Sequence, residues 1–366
     1  MVLTIISWAL MVFSVWYVPF RLKNLLNLRK AWPLHIASAA VLGGYMLFLH
    51  KGIYTWDNAF IAVTYNVLGL LFVFFIYLFF FLVVTHPVTH FGKRVAKRPF
   101  GIFGICVSAF FVVLGFLNAL TFEVKHVDLE VPGLEKSIKI VHLPDIHLGT
   151  QRRAAHLEKL LKVVNEENPD IVLYNGDLVD SDIALKPEIF ALFKSVKAEQ
   201  YFTTGNHEYY MNTDKALQLI ADAGIRILRS EMVETHGIQL IGMEYMNADK
   251  ETYDAHVVNT LTIQEELPRI ARDENKPTVL AHHSPVGMQY VADGGIDVML
   301  AGHTHAGQFF PGTLLVKLRF PMYSGQYQIN NMKLLVSQGA GTFGPWMRLG
   351  SNNEVQVANL IPSTSE

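Results

Sequence analysis

Cysteine is nearly absent from the sequence, and acidic residues are nearly absent from its first third. The 366 residues include one cysteine, Cys106, which excludes a disulfide bond within the chain. Residues 1–122 contain nine Lys and Arg but one acid, Asp57, a balance of +8. Residues 123–366 contain 21 basic and 31 acidic residues, a balance of −10. Since phosphate backbones require basic surface, the acidic second part predicts no nucleic acid partner.

Charged residues are also scarce overall, at 17%, whereas hydrophobic residues make up 51% of the chain. This balance indicates membrane segments. A transmembrane region over residues 1–122 is predicted, with four apolar helices: Val2–Phe20, Pro33–Leu49, Ala59–Val84 and Phe100–Leu120. A cleaved signal peptide is disfavoured, because no basic residue precedes the first apolar run and no small-residue cleavage site follows it. The predicted spans contain no Asp, Glu, Lys or Arg in their interiors, which favours an anchor over an ion channel.

The basic residues predict the orientation of these spans. They concentrate in the first and third loops, at Arg21, Lys23, Arg29, Lys30, Lys93, Arg94, Lys97 and Arg98. The second loop has only Lys51 against Asp57. The positive-inside rule therefore places the first and third loops in the cytoplasm. Four spans then place both termini, and the domain over residues 123–366, on the extracytoplasmic side of an integral membrane protein.

Beyond Glu123 the pattern changes to strands that alternate with helices, which predicts an α/β domain over residues 123–366. The predicted strands are Ile138–Leu143, Asp170–Tyr174, Gln200–Thr203, Gln239–Gly242, Thr278–Ala281, Ile296–Leu300, Lys333–Ser337 and Glu354–Ile361. The predicted helices are Arg153–Glu166, Thr213–Ala223 and one that begins at a Thr262–Glu265 capping box.

Seven polar side chains follow the ends of the predicted strands, where α/β sheets gather their ligands. They are Asp145, His147, Asp177, Asn206, His283, His303 and His305. Each alone has an ordinary alternative, since Asp and Asn at strand ends often cap turns and histidine pairs occur on surfaces. Together, their nitrogen and oxygen atoms suit Mn, Fe or Zn. Seven ligands are too many for one divalent ion and about right for two that share a bridging carboxylate.

Five motifs in order carry a resemblance to a known family: Asp145-Ile146-His147, Gly176-Asp177, Gly205-Asn206-His207-Glu208, His283-Ser284-Pro285 and Gly302-His303-Thr304-His305. The chain resembles the calcineurin-like metallophosphoesterases, and more narrowly their membrane-anchored bacterial branch. The resemblance covers roughly residues 138–360. It implies a four-layer α/β/β/α sandwich and a bacterial cell membrane location.

The resemblance also implies roles for the motif residues. Asp145, His147 and His305 would hold one metal ion. Asn206, His283 and His303 would hold the second, and Asp177 would bridge the two. His207 would contact the phosphate or protonate the leaving group. The implied reaction is attack on phosphorus by a hydroxide that bridges the two ions.

Other residues near the motifs have less specific interpretations. His282 and His283 are adjacent, and since successive strand side chains point oppositely, we expect only His283 to reach the metals. Glu208 either orients His207 or is exposed. For Arg152, Arg153 and Arg348 a solvated surface role is favoured over a phosphate contact. A structural role is predicted for four histidines of this domain that belong to no motif: His142, His156, His236 and His256.

Three functional hypotheses remain open from the sequence. The first is a membrane-anchored phosphoesterase that acts on a phosphodiester or pyrophosphate, and the anchor favours a lipid-linked substrate. The second is a UDP-2,3-diacylglucosamine-type pyrophosphate hydrolase of lipid A synthesis, which needs a cytoplasmic site. The third is a membrane scaffold or sensor with a silent phosphoesterase fold, which predicts missing ligands. Membrane lipids are the expected partners, and no obligate protein partner is inferred.

Overall fold

The computed structural model describes residues 2–48, 58–92, 96–246 and 261–363. The chain divides into two compact units. Unit 1 comprises residues 1–117 and 344–347, and unit 2 comprises residues 118–343 and 348–366. Several residues used in the sequence analysis lie outside the described residues: Lys51, Asp57, Lys93, Arg94 and His256.

The described helices of the N-terminal region occur at all four predicted spans. They are α1 (Val2–Leu26), α2 (Trp32–Leu47), α3 (Ala59–Val84), α4 (His86–Phe91) and α5 (Lys97–Asn118). Among the described residues, α3 and α5 are long and apolar enough to cross a membrane. Helix α2 has 16 residues, which is shorter than the roughly 20 that a bilayer requires. The arrangement of four spans therefore stays a prediction.

Helix α1 continues six residues beyond its predicted end at Phe20. The extension includes Arg21, whose guanidinium is buried and donates a hydrogen bond to Thr89 Oγ1 at 2.6 Å. This bond compensates part of the cost of burying the charge. The sequence pattern ended the span at Arg21 because it assigned every charged residue to a loop.

Unit 2 contains two six-stranded sheets. Its strands are β1 (Phe122–Val131), β2 (Ile138–His142), β3 (Ile171–Asn175), β4 (Glu199–Thr203), β5 (Arg226–Ile227), β6 (Glu231–Thr235), β7 (Ile238–Gly242), β8 (Thr278–Ala281), β9 (Val298–Ala301), β10 (Gly325–Ile329), β11 (Met332–Val336) and β12 (Asn353–Pro362). The strand orders are β1-β12-β2-β3-β4-β5 and β10-β11-β9-β8-β7-β6. Its helices beyond α5 are α6 (Ala154–Glu166), α7 (Pro187–Phe190), α8 (Thr213–Asp222), α9 (Ile263–Glu266), α10 (Met288–Asp293) and α11 (Gly312–Arg319).

The two sheets pack face to face, and helices cover their outer faces. Strand β9 shows the pattern, because Val298 and Leu300 belong to the apolar cluster between the sheets, whereas Met299 and Ala301 belong to the cluster under α9 and α10. Helices α6 and α8 cover the opposite side of the first sheet. Strands buried on both faces explain their nearly continuous apolar runs. The predicted α/β domain with two sheets is confirmed.

The central strands of each sheet run parallel, and this direction positions the functional site. Strands β2, β3 and β4 are parallel neighbours in one sheet, and β7, β8 and β9 are parallel neighbours in the other. Each strand is followed by a loop at its carboxyl end. The loops after β2, β3, β4, β8 and β9 contain all seven predicted ligands.

Candidate metal centre

The structure brings six of the seven predicted ligands into two groups. Asp145, His147 and His305 form one group, and in each group the potential ligand atoms lie within 4.8 Å of one another. The second group comprises Asp177, His283 and His303. The first group has the members predicted for one metal ion, and the second group contains His283 and His303 of the other predicted set together with Asp177. Asn206 follows β4, next to His207, whose backbone N–H donates to Asp177 Oδ1 at 2.8 Å.

Short distances join the ligand atoms within and between the two groups. His147 Nε2 and His305 Nε2 are 2.9 Å apart, and His305 Nε2 lies 3.4 Å from Asp145 Oδ1. His283 Nε2 lies 3.2 Å from Asp177 Oδ2. Asp177 Oδ2 is also 4.0 Å from His147 Nε2, which belongs to the first group. The Asp177 carboxylate therefore lies within reach of both groups.

Five of the seven residues have left-handed backbone conformations. The φ angles are 60° at Asp145, 56° at His147, 52° at Asp177, 70° at His303 and 48° at His305. Positive φ is uncommon for residues other than glycine and costs about 1 kcal/mol or more at each position. Strained backbone conformations of this kind cluster at functional sites, where the placement of the side chain is required. The turns therefore aim these side chains inward at a cost in stability.

Two buried oxygens test whether these residues suit cations. Asp145 Oδ1 and Asn206 Oδ1 are buried and have no hydrogen-bond partner among the described residues. A buried carboxylate oxygen without a donor is costly unless a cation or water compensates it. Carboxylate, carboxamide and imidazole donors also form the set that first-row divalent metals prefer. The residues therefore fit a divalent metal centre.

The carboxylates give the centre a strong demand for positive charge. Burial lowers the pKa of His283, but Asp177 and Asp145 outweigh it and raise that pKa to about 10. Burial alone would raise the pKa of Asp177, yet the imidazoles of His283 and His207 hold it well below its usual range. His305 shows the opposite behaviour, because burial and the nearby His147 lower its pKa. In the absence of metal ions, a proton on an imidazole such as His283 thus balances the negative charge of the carboxylates. Divalent cations would balance the same charge.

Asp180 is a site residue that sequence reasoning missed. Its Oδ1 accepts a hydrogen bond from His147 Nδ1 and lies 2.9 Å from His207 Nδ1. The carboxylate thereby orients one predicted ligand and the predicted catalytic histidine together. Its signal in the sequence is a second carboxylate three residues after Asp177.

Glu208 is buried, which excludes the exposed alternative. Its Oε2 accepts hydrogen bonds from the backbone N–H groups of Asp177 at 3.0 Å and Gly205 at 2.7 Å. Its Oε1 accepts from Leu178 N at 2.9 Å and Val179 N at 3.4 Å. Glu208 therefore joins the loop after β3 to the loop after β4, and it does so through backbone groups rather than through His207.

The two adjacent histidines point in different directions, as expected. His283 Nδ1 hydrogen-bonds to Asn175 O at 2.7 Å, which leaves Nε2 directed at Asp177. His282 Nδ1 bonds to Ser284 O at 2.8 Å, and its ring stacks on Tyr245. His142 is likewise buried, with its Nδ1 2.7 Å from Gln356 Oε1.

The expected surface role of Arg348 and Arg152 is wrong. Both side chains are buried. Arg348 donates hydrogen bonds to the carbonyl oxygens of His305 at 2.9 Å and Gln338 at 2.8 Å, and Arg152 donates to Thr342 Oγ1. These partners of Arg348 are backbone carbonyl groups, which every residue has. The sequence therefore could not indicate which groups would accept hydrogen bonds from its guanidinium. Arg348 thus supports the turn that carries His305.

Three aromatic rings lie beside the imidazoles of the centre. The ring of Phe343 is 5.3 Å from that of His207, and the ring of Tyr210 is 5.1 Å from it. Phe320 lies 5.6 Å from His303 in an edge-to-face arrangement. These rings place aromatic surface beside His207 and His303.

The chain is similar to known proteins. Residues 138–307 match the family model for calcineurin-like phosphoesterases. The chain is 36% identical over 265 residues to an uncharacterized metallophosphoesterase of Campylobacter jejuni, which covers 70% of this chain and 68% of that protein. It is also 30% identical over 279 residues to a Danio rerio transmembrane protein with metallophosphoesterase domain. That alignment covers 71% of this chain and 62% of the Danio rerio protein. Among solved structures, the Haemophilus influenzae NAD nucleotidase aligns with a TM-score of 0.36 and 15% identity over 56% of this chain and 51% of that chain.

Proposed function

Since the chain belongs to the calcineurin-like metallophosphoesterase family, we propose that it hydrolyses a phosphodiester or pyrophosphate at two divalent cations held in the candidate centre. One observation carries the proposal: two groups of His and Asp atoms, each within 4.8 Å, lie side by side with Asp177 near both. A single-metal site does not need a second complete group. Mn, Fe and Zn all suit the donor atoms.

The proposed roles follow the two groups. Asp145, His147 and His305 would hold one cation. Asn206, His283 and His303 would hold the second cation, and Asp177 would be a ligand shared by the two. When bound, the two cations supply Lewis-acid chemistry, which activates water and neutralises charge on the phosphoryl oxygens. Asn206 adds a ligand without negative charge, which favours the binding of an anionic substrate.

His207 is the proposed catalytic residue. Its Nδ1 is held by Asp180 at 2.9 Å, so the ring is oriented with Nε2 3.8 Å from Asp177 Oδ2. Burial lowers the pKa of His207, but Asp177 and Asp180 outweigh it and raise that pKa to about 9. An imidazole held beside Asp177 suits contact with a phosphate oxygen, and it is our candidate for the group that protonates the leaving group.

We further propose that residues 1–122 anchor the chain in a bacterial cell membrane through four helices, with the domain over residues 123–366 on the extracytoplasmic side. The apolar surface of the described helices supports this, since Phe60, Val84 and Phe110 are each more than 60% exposed. Exposed apolar surface of this extent suits lipid rather than water. A membrane-anchored hydrolase is well placed for a lipid-linked phosphoester, which is the substrate class we favour.

The test is hydrolysis by the full chain purified in detergent. A generic phosphodiester and a generic phosphomonoester are supplied with Mn²⁺ added or chelated. We expect metal-dependent turnover that is faster for the diester and is lost in Asp177→Asn. The exposed Asp214→Asn serves as the matched control and should retain full activity. Absence of both turnover and bound metal in the wild-type chain would refute the proposal.

A further inference from the structure

Large exposed hydrophobic side chains in unit 2 concentrate in one segment after β9. Seven such side chains occur in the described part of this unit, and five of them lie between residues 310 and 343: Phe310, Leu314, Leu315, Leu318 and Phe343. Soluble surfaces rarely expose contiguous apolar side chains of this size, and when they do the patch commonly marks an interaction site.

Helix α11 presents three of these residues on one side. Leu318 follows Leu314 by four residues and Leu315 by three, so the three side chains are neighbours on the helix surface. We call Leu314, Leu315 and Leu318 the leucine face. None of the residues of α11 is buried, and Leu318 is 71% exposed. The helix therefore presents an apolar surface that no described residue of the chain covers.

The charged residues of the segment that carries the leucine face have one sign. Residues 298–353 contain no Asp or Glu, although residues 123–366 contain 31. Lys317 and Arg319 are exposed beside the leucines, with Lys317 Nζ 5.3 Å from the ring centre of Tyr323 and Arg319 Cζ 5.3 Å from that of Phe320. Helices that lie in the interface of an anionic bilayer typically combine leucines with basic and aromatic side chains, as α11 and its neighbours do.

The leucine face is also next to the candidate metal centre. Helix α11 packs against the turn His305–Gly307. Immediately after the helix, Phe320 contacts the ring of His303. A surface bound at the leucine face is thereby adjacent to the turns that carry two of the proposed ligands.

We propose that the leucine face inserts into the surface of a bilayer that contains anionic lipids, with Lys317 and Arg319 at the level of the lipid phosphates. This contact would bring the metal centre to phosphoesters displayed at the bilayer surface. The inference rests on the proposed function, because it assigns the lipid-linked substrate class a surface for approach. A hydrolase that acts on freely diffusing substrates does not require an exposed apolar helix next to its metal centre.

The test measures insertion directly and does not depend on catalysis. The full chain with Cys106→Ser is labelled with a nitroxide at Leu318→Cys and reconstituted in vesicles of phosphatidylcholine and phosphatidylglycerol. The matched control carries the label at Glu158→Cys, an exposed position on α6. We expect relaxation of the label at position 318 to be several-fold more sensitive to oxygen than to a water-soluble nickel complex. The order should be reversed at position 158.

Three results would overturn the proposal. The first is equal nickel accessibility of the two labels. The second is spin–spin broadening at position 318 that disappears on dilution with unlabelled chain, which would show contact with a second copy. The third is unchanged label depth in the mixed vesicles when Lys317→Gln and Arg319→Gln are combined. Insertion should persist in Asp177→Asn, so inserted but inactive wild-type protein would count against the proposed hydrolysis alone.

Discussion

At the scale of single residues, Glu208 shows how much of the centre depends on groups that touch no substrate. Each of its oxygens accepts two backbone N–H groups from the loops that carry Asp177 and Asn206. Glu208→Gln replaces one acceptor with an NH₂ group that faces these donors. A buried polar group without its partner costs about 1–3 kcal/mol.

We therefore expect Glu208→Gln to lower the free energy of unfolding by that amount and to weaken Mn²⁺ binding roughly 10-fold or more, as changes to residues that support metal ligands do. Calorimetric titration with Mn²⁺ measures the affinity. The exposed Glu188→Gln is the matched control. Wild-type affinity in Glu208→Gln would show that the two loops keep their positions without this carboxylate.

The residues of the centre also show what a sequence can reveal. Each member of the two groups of candidate ligands follows a strand and belongs to a recognisable motif, so the sequence could predict that these residues lie together. Glu208 and Arg348 were predicted less well because their partners are backbone amides and carbonyls, which every residue possesses. Only the folded arrangement determines which of those groups lie within reach.

His156 provides a pH-dependent contribution to stability outside the centre. Burial, together with the positive charges of Arg152 and Lys159, lowers its pKa to about 3 in the folded protein. The unfolded value is about 6.5, so between these pH values the unfolded chain takes up a proton that the folded chain does not. This contribution is therefore complete above pH 6.5 and declines as the pH falls toward 3.

Replacing His156 with a residue that does not titrate should remove this pH dependence. From pH 6.5 to pH 5, the wild-type free energy of unfolding should fall by about 2 kcal/mol more than that of His156→Leu. His156→Gln should behave like His156→Leu, which separates titration from side-chain polarity. Urea denaturation of the full chain, followed by near-ultraviolet circular dichroism, measures the slopes. Parallel pH profiles for wild type and both variants would contradict the assignment.

At the scale of elements, the strands buried on both faces were predictable and several others were not. Strands β8 and β9 are short apolar runs bounded by turn residues, and they occur where predicted. Strand β1 was missed because exposed polar residues interrupt it, although it pairs with β12 over ten residues. Strand β10 has no buried residue and was also missed. Pairing with a neighbour, rather than local composition, makes these segments strands.

Gly205 lies in the turn after β4, in close contact with the loop that carries Asp177. A Cβ atom at this position would lie 2.2 Å from Asp177 Oδ1 and 2.5 Å from Asp177 N. Because the loops after β3 and β4 are in such close contact, Gly205→Ala must displace the carboxylate. We expect at least a roughly 10-fold loss of Mn²⁺ affinity, as for other changes that shift a ligand.

The control for Gly205→Ala is Gly43→Ala on α2, where an added Cβ meets no atom of the described residues within 4 Å. This variant should bind Mn²⁺ as the wild type does. Calorimetric titration of both variants tests the prediction. Unchanged affinity in Gly205→Ala would show that the two loops can separate without moving the bridging carboxylate.

At the scale of the whole molecule, the charge difference between the two parts of the sequence predicts how the protein is placed across a membrane. Residues 1–122 have one acid against nine basic residues. The basic residues of the first and third predicted loops should remain in the cytoplasm. With four spans, the proposed phosphoesterase domain must then lie outside, whereas three spans from the same N-terminal side would place it in the cytoplasm.

Reporter fusions after Glu366 distinguish these arrangements. An alkaline phosphatase fusion, active only outside the cytoplasm, should be active, and a green fluorescent protein fusion at the same position should be dark. Replacing Lys23, Arg29 and Lys30 with Gln should weaken this preference, because positive charges near the first loop retain it in the cytoplasm. The reverse reporter pattern in the wild-type chain would place the candidate metal centre in the cytoplasm. A cytoplasmic centre would favour substrates on the cytoplasmic leaflet of the membrane. The leucine face would still be expected to insert into anionic lipids, and the same spin-label experiment would test it.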